Sequence, residues 1–445
     1  VPDGAPWPTP STEGLTEVLR RGALGVSPAG APAPSRAPLT AAPVPQARPD
    51  GVRTVVVAGD GAGADARRVA EANDWPLLAE PSSGARGGTH AIPAYRLLLG
   101  EPELGGAVQR VVVLGRPTLS RPVQQLLARA DVETLVVAPE GARWPDAARA
   151  ADQVATEVPP LLLAGGLRDA SAAGASWLDR WQRAGAAAAS AIAEVLGRPG
   201  PLTGPGVAAL VAEACMPEAQ AGEALMREAR GAEARAPEAG DAETGAVGVR
   251  AAGGDAPLPV LVVGSSNPIR DLDLVADWSE PPLVLANRGL AGIDGTISTA
   301  SGVAIGLARP VRAYVGDLTF LHDVGGLLVG PLERRPDLQV VVANDDGGSI
   351  FASLEHGAPE HARAFERVFA TPHGADLAAI CAGYGVQHVR VDDADALRRA
   401  LAAGPRLGGR IEVVEVVVDR SGRRSLGDEI ARAVHEAALT VTRGR

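Results

Sequence analysis

The sequence predicts an α/β protein built from two domains, each with a parallel sheet. Three observations carry this. Short aliphatic runs, among them residues 111–114, 260–263 and 339–343, each end on Gly, Asn or Asp and lead toward a helical stretch, the alternation that lays helices over a parallel sheet. Apolar residues make up 46% of the chain but aromatics only 3%, so the cores are aliphatic, as buried parallel strands require. A chain of 445 residues is also too long for one ordinary core.

The balance of charge and cysteine narrows the function. A formal net charge of −11 repels a phosphate backbone, which argues against nucleic-acid binding. Cys215 and Cys381 lie far apart with no metal-ligand spacing and read as reduced thiols of a cytoplasmic protein. No apolar run approaches the roughly 20 residues that span a bilayer. The N-terminus has neither a basic start nor an apolar stretch of the kind a signal peptide carries. It also lacks an initiator Met, so the numbering fits a start inside a longer chain.

Residues 1–50, rich in Pro, Ala and Ser, read as a linker. Residues 51–200 form the first α/β domain. Its strands fall at 53–57, 111–114 and 134–138, and a helix over 175–196 leads out of it. The run Gly59-Asp60-Gly61-Ala62-Gly63 follows a strand and opens a helix, so it imitates a dinucleotide loop. Loose glycine matches are common, and a structural turn is the expectation. Residues 201–256 are a helix followed by a low-complexity insertion of Ala, Glu, Gly and Arg. Residues 257–445 form the second α/β domain, with strands at 260–263, 283–285, 312–315, 339–343 and 411–418. Both domains are Rossmann-like, and in the second, polar and glycine residues gather where strands end, the place where open α/β sheets bind ligands.

Two strand ends stand out. Gly316-Asp317 closes one strand and Asn344-Asp345-Asp346-Gly347 closes another. Between them a helix over 323–332 would make a single crossover, placing the ends side by side on one sheet edge. A carboxylate from each, with a backbone carbonyl, can hold a hard cation such as Mg²⁺, which bridges to phosphates. Glycine lets the backbone approach a diphosphate. The alternative for each element alone is local: Asp317 caps a helix and residues 344–347 make a turn.

Three longer motifs sharpen the reading. They are Asn287-Arg288-Gly289-Leu290-Ala291-Gly292-Ile293-Asp294-Gly295, Gly316-Asp317-Leu318-Thr319-Phe320-Leu321-His322-Asp323 and Asn344-Asp345-Asp346-Gly347-Gly348-Ser349-Ile350-Phe351. In this order they resemble the thiamine-diphosphate enzymes of the 2-succinyl-5-enolpyruvyl-6-hydroxy-3-cyclohexene-1-carboxylate synthase (MenD) family. The resemblance is tight over 257–440 and looser over 50–200. It implies a central domain followed by a diphosphate-binding domain, with thiamine diphosphate and Mg²⁺ (or Mn²⁺) as cofactors. Asp317, Asp345 and the carbonyl of Gly347 would hold the metal, with Asp346 as a register alternative to Asp345. Gly292, Ile293, Gly316, Leu318 and Thr319 would meet the cofactor, Ile293 packing under its thiazolium ring. Ile350 and Phe351 would wall the reaction pocket. Ser266, Arg270 and Arg288 would meet substrate carboxylates, Arg288 at the reacting centre. The guanidinium fork suits a carboxylate, though an ion pair of Arg270 with Asp271 or Asp273 is the local alternative.

The implied activity is decarboxylation of 2-oxoglutarate and 1,4-addition of the succinyl carbanion to isochorismate, in menaquinone biosynthesis. The family completes each site with a second subunit, so a dimer or tetramer is expected. A pyrimidine-binding domain, which supplies the activating Glu, precedes the central domain in this family, and nothing in the chain resembles it. The chain therefore reads as a fragment whose activity alone is doubtful. Two other readings remain: another thiamine-dependent synthase or decarboxylase, and a non-catalytic protein binding thiamine diphosphate or an anion. Arg116 and Arg143, each past a strand end, form a candidate regulatory anion pocket, against which stands the reading of solvated arginines. His322, His356, His361 and His373 show no metal-ligand spacing.

Overall fold

The computed structural model describes residues 51–139, 145–167, 176–216, 259–405 and 407–442. The linker over 1–50, the insertion from 217 and Arg143 lie outside these residues. The chain divides into two compact units, one holding the strands of a five-stranded sheet and the other those of a six-stranded sheet. Both sheets are parallel throughout, as the aliphatic strands and intervening helices predict.

The first sheet runs β2-β1-β3-β4-β5. Its strands are β1 (Thr54–Ala58), β2 (Leu77–Ala79), β3 (Arg110–Leu114), β4 (Glu133–Val137) and β5 (Gln153–Ala155). The chain moves outward from β1 to β2 and returns past β1 to β3, so the strand order reverses between β1 and β3. That crevice is closed by its own loops. Gly59 N donates to the Leu114 carbonyl at 2.9 Å, and Asp60 and Arg116 exchange backbone hydrogen bonds at 3.0 and 2.9 Å. A Cβ at Gly59 would stand 2.0 Å from Pro117 N, so glycine is there to let two loops touch. The structural turn expected of Gly59-Asp60-Gly61-Ala62-Gly63 is what forms.

The second sheet runs β10-β11-β9-β8-β6-β7. Its strands are β6 (Val260–Val263), β7 (Val284–Ala286), β8 (Val311–Gly316), β9 (Leu338–Asn344), β10 (Gln387–Val391) and β11 (Ile411–Val417). Order reverses here between β6 and β8. The aliphatic side chains of β6, β8, β9 and β11 are buried, which covers the sheet on both faces. Short helices start where the sequence supplies a cap. Thr203 accepts from Gly206 N ahead of the helix Gly204–Glu213. Asp376 and Asp393 do the same for Leu377–Gly383 and Ala394–Ala402.

Between β8 and β9 the structure corrects the expected helix over 323–332. A helix of one and a half turns forms immediately after the strand, at Asp317–His322, followed by a single tight turn at Val324–Leu327. Gly325, Gly326, Gly330 and Pro331 in this stretch disfavour a longer helix. The short strands β2, β5 and β10 were not expected. β10 (QHVRV) alternates polar and apolar residues at the sheet edge and lacks an aliphatic run.

At the amino end of the second sheet a polar row crosses three strands in register: Arg312 faces Gln339, which faces Glu412. Arg312 is only 1% exposed. Its Nε donates to Gln339 Oε1 at 2.8 Å, and its Nη atoms donate to the Ala214 and Leu401 carbonyls at 3.2 and 2.5 Å. Those carbonyls lie at helix C-termini, where a cation is stabilised. Removing the guanidinium strands several buried acceptors. Arg312→Met is therefore expected to lower stability by about 3–5 kcal/mol, measured as a shift of the urea unfolding midpoint at constant m-value.

Candidate functional site

A cavity of about 180 Å³ opens in the second unit at the carboxyl ends of its strands. β6 brings Ser266 and Asn267, β8 brings Gly316 and Asp317, and β9 brings Ala343 and Asp345 to its wall. It thus sits where the strand order reverses, the position open α/β sheets use for ligands. β8 and β9 pair in parallel with Gly316 opposite Ala343, so the two carboxylates emerge from neighbouring strands.

Each carboxylate is anchored by the chain around it. Asp317 Oδ1 accepts from Leu318 N at 2.6 Å, and Oδ2 accepts from Gly347 N at 2.8 Å. His373 Nε2 lies 3.1 Å from the same Oδ2. Asp345 Oδ2 accepts from the Ser349 hydroxyl. Burial pushes the Asp317 carboxyl above its ordinary range, against the hydrogen bonds from Gly347 and His373. Burial, reinforced by the negative charge of Asp317, pushes Asp345 up to about 7. A carboxylate whose charge is disfavoured by a neighbouring carboxylate is stabilised by a cation between them.

Asp346 behaves differently. Its Oδ1 accepts from Gly374 N at 2.8 Å and His373 N at 3.1 Å, and these bonds hold its carboxyl below the ordinary range. It has a left-handed φ of 55°, and its carboxylate closes the 373–374 turn, while Asp345 is the one at the cavity wall. Asn344, which leads the turn, donates to Glu415 Oε1 at 2.8 Å and accepts from Asp346 N at 3.0 Å.

Of the other residues singled out in the sequence, Ile293, Leu318, Thr319 and Gly347 line the cavity. So do Ser266, Ile350 and Phe351. Gly292, Arg270 and Arg288 do not line it. Arg270 Nη1 donates to the Ser266 carbonyl at 2.8 Å, and Asp271, one of the two carboxylates considered for it, pairs with Arg423. Arg288 is buried, and its backbone N donates to the Ala286 carbonyl at 2.9 Å. Arg116 belongs to the first unit, in the loop that closes the β1–β3 crevice.

Sequence reasoning missed several participants. Arg423 and Asn267 line the cavity but belong to no motif that stood out. Arg420 donates to the Asp346 carbonyl, and Arg424 Nη1 donates to the Ala352 and Leu354 carbonyls at 3.0 and 2.9 Å. The cluster Arg420-Ser421-Gly422-Arg423-Arg424 directly after a predicted strand was the available signal. Burial alone would lower the Arg423 pKa, and the Asp271 carboxylate outweighs it, leaving it raised.

The donor set fits a diphosphate-bound divalent cation. No group of three or more His, Cys, Asp or Glu able to hold a metal occurs among the described residues. Two carboxylates with a carbonyl from Gly347, which lines the same cavity, would give part of an octahedral oxygen shell, the pattern of a cation that also takes phosphate oxygens. Gly316 has open space where a Cβ would stand, leaving room beside the backbone for such a group.

Comparison with known proteins agrees with this geometry. Residues 271–416 match the thiamine pyrophosphate enzyme C-terminal TPP-binding domain. The matched region is thus similar to thiamine-pyrophosphate enzymes, and over most of its length the chain is MenD-like in sequence. It is 46% identical to the 2-succinyl-5-enolpyruvyl-6-hydroxy-3-cyclohexene-1-carboxylate synthase of Nocardioides sp., covering 85% of this chain and 63% of that protein. It is 45% identical to the synthase of the same name from Kineococcus radiotolerans, over 89% of this chain and 63% of the relative. For the Arthrobacter sp. synthase the values are 43%, 92% and 61%. The chain therefore spans 61–63% of the length of these relatives. No helix among the described residues is long and apolar enough to cross a membrane.

Gly347 tests the turn directly. It has φ 142°, and a Cβ there would stand 2.1 Å from the Ala370 carbonyl oxygen. Gly347→Ala is expected to lower stability by about 1–3 kcal/mol, read as a shift in the denaturant midpoint.

Proposed function

We propose that this chain is the thiamine-diphosphate- and cation-binding part of a synthase that joins 2-oxoglutarate, after loss of CO₂, to isochorismate in menaquinone biosynthesis. The observation that carries this is the pair Asp317, buried, and Asp345, half-buried, on adjacent strand ends with Gly347 in a cavity at the sheet's reversal point. Its support in sequence is the likeness to curated synthases of that name. Asp317, Asp345 and the Gly347 carbonyl hold Mg²⁺ or Mn²⁺, and Gly316, Leu318 and Thr319 border the diphosphate. When bound, thiamine diphosphate supplies the electron sink that stabilises a carbanion at the decarboxylated carbon.

The remaining residues bind and exclude water. Ile293 supports the cofactor's ring region, and Ile350 and Phe351 give the cavity an apolar wall. Phe351 is 37% exposed and packs against Phe369 with ring centroids 5.8 Å apart, an apolar surface with one open side. Ser266 meets a substrate carboxylate. Arg270 and Arg288 lie off the cavity wall, so their part in carboxylate recognition requires movement toward bound substrate. A second subunit and a pyrimidine-binding domain complete the site, and the protein works in the cytoplasm.

The test is isochorismate consumption with 2-oxoglutarate, thiamine diphosphate and Mg²⁺. It compares this chain alone with the chain joined to the N-terminal segment of the Nocardioides synthase. Turnover is expected only in the joined protein, and Asp317→Ala is expected to abolish it. No turnover in the joined protein, with cofactor bound, would move the reading to a binding-only protein. Turnover with pyruvate in place of isochorismate as the acceptor would move it to another thiamine-dependent synthase.

A further inference from the structure

A chain of hydrogen bonds reaches Asp345 from the far side of the cavity, and every donor in it points the same way. Arg423 grips Asp271 with both terminal nitrogens, Nη1 to Oδ2 at 2.7 Å and Nη2 to Oδ1 at 2.5 Å. The same Nη2 donates to Asn267 Oδ1 at 3.2 Å. Asn267 Nδ2 donates to Ser349 Oγ at 2.7 Å. The Ser349 hydroxyl then donates to Asp345 Oδ2. Guanidinium has only donors, so the Asn267 amide must turn its oxygen to Arg423 and its NH₂ to Ser349. Having accepted from Asn267, Ser349 has its proton to give to the carboxylate. Bonds aligned in this sense polarise one another in a low-dielectric interior.

The elements of the chain are fixed independently. Asp271 and Ser349 are buried, at 2% and 3% exposure. Asn267 opens the helix Asn267–Val275, and Ser266 before it has a φ of 76°, a conformation that persists in a non-glycine residue where its surroundings hold it. Arg420 and Arg423 both act on Asp345 through their charge. Released from Ser349, the carboxylate is no longer held in one orientation against their pull.

We propose that Asn267 and Ser349 are positioning residues for the divalent cation: they pin one oxygen of Asp345 and thereby present the other to the metal. This rests on the cation reading given above. Neither residue touches the cation. The consequence is selectivity as well as affinity, because Mg²⁺ demands near-ideal octahedral geometry whereas Ca²⁺ accepts flexible shells. A loosened Asp345 penalises Mg²⁺ more than Ca²⁺.

The experiment is calorimetric titration of this chain with Mg²⁺ and, separately, Ca²⁺, each with excess thiamine diphosphate, for wild type, Ser349→Ala and Asn267→Ala. Circular dichroism melting is run on the same samples. Both variants are expected to weaken Mg²⁺ binding about 10–100-fold, the usual effect of losing a partner behind a ligand, with a smaller loss for Ca²⁺. Wild type that binds no Mg²⁺ overturns the cation reading and this proposal with it. Wild type that binds Mg²⁺, with Ser349→Ala binding it equally well, overturns the positioning role alone. Equal losses for both cations with a lowered melting temperature also overturn it, since that is the signature of a purely structural bond.

Discussion

Two carboxylates held side by side, one buried and one half-buried, are the constraint around which the second unit is arranged. Asp317 and Asp345 sit at the ends of adjacent parallel strands, and burial raises both of their pKa values, Asp345 to about 7. An uncompensated buried charge is costly, and the surrounding chain offsets it group by group. Gly347 N, Leu318 N and His373 serve Asp317, and Ser349 serves Asp345. The turn from Asn344 to Gly348 has its shape because one of its amides must face Asp317 while one of its carboxylates faces the cavity. That requirement places Asp346 in the left-handed region and Gly347 at a φ open to glycine.

The two units show that topology alone does not make a site. Both are parallel sheets whose strand order reverses beside the first strand, and both have glycine after that strand. In the first unit the loops after β1 and β3 bond to each other through Gly59, Asp60 and Arg116, and the crevice is filled by backbone. In the second, the loops after β6 and β8 stand apart, and the cavity lies between them. The difference is written in which groups the loops offer. Asp60 and Arg116 satisfy each other through their main chains, whereas Asp317 turns its side chain to a third strand end. Function resides in the site grafted on the fold.

What the sequence made legible follows from how local each signal is. Aliphatic strands and glycine turns are read over a few residues, and the main strands and the helix expected over 175–196, observed at Trp177–Leu196, fall where expected. The pairing of Gly316-Asp317 with the 344–347 turn was legible because both lie beside strands that neighbour each other in a simple crossover. Arg312 was not. It looked like one polar residue in a strand, and its meaning depends on Gln339, Glu412 and two helix ends brought together only by the fold. The helix expected over 323–332 failed because glycine and proline outweighed the apolar spacing. Arg270 and Arg288 were chosen for their chemistry, and the chemistry is sound. Neither lines the cavity, and Arg270 is bonded to the Ser266 carbonyl, a matter of side-chain direction that residue type does not encode.

The segment after β11 explains how so small a cavity keeps its form. Arg420, Arg423 and Arg424 reach three different walls: the Asp346 carbonyl, Asp271 with Asn267, and the carbonyls of Ala352 and Leu354. Their backbone is tied in turn, since Arg423 N donates to the Arg420 carbonyl at 3.1 Å and Asp419 N to the Leu202 carbonyl at 3.1 Å. Guanidinium is suited to this because one planar group can satisfy several carbonyls or a whole carboxylate. Lysine at any of the three would keep the charge and lose the fork. The same cluster brings positive charge to a region where two carboxylates already stand, which lowers the cost of their burial without placing a cation of the protein's own between them. The walls around Asp317 and Asp345 are thus held by arginines bonded to the surrounding chain, and of the three Arg423 also lines the cavity.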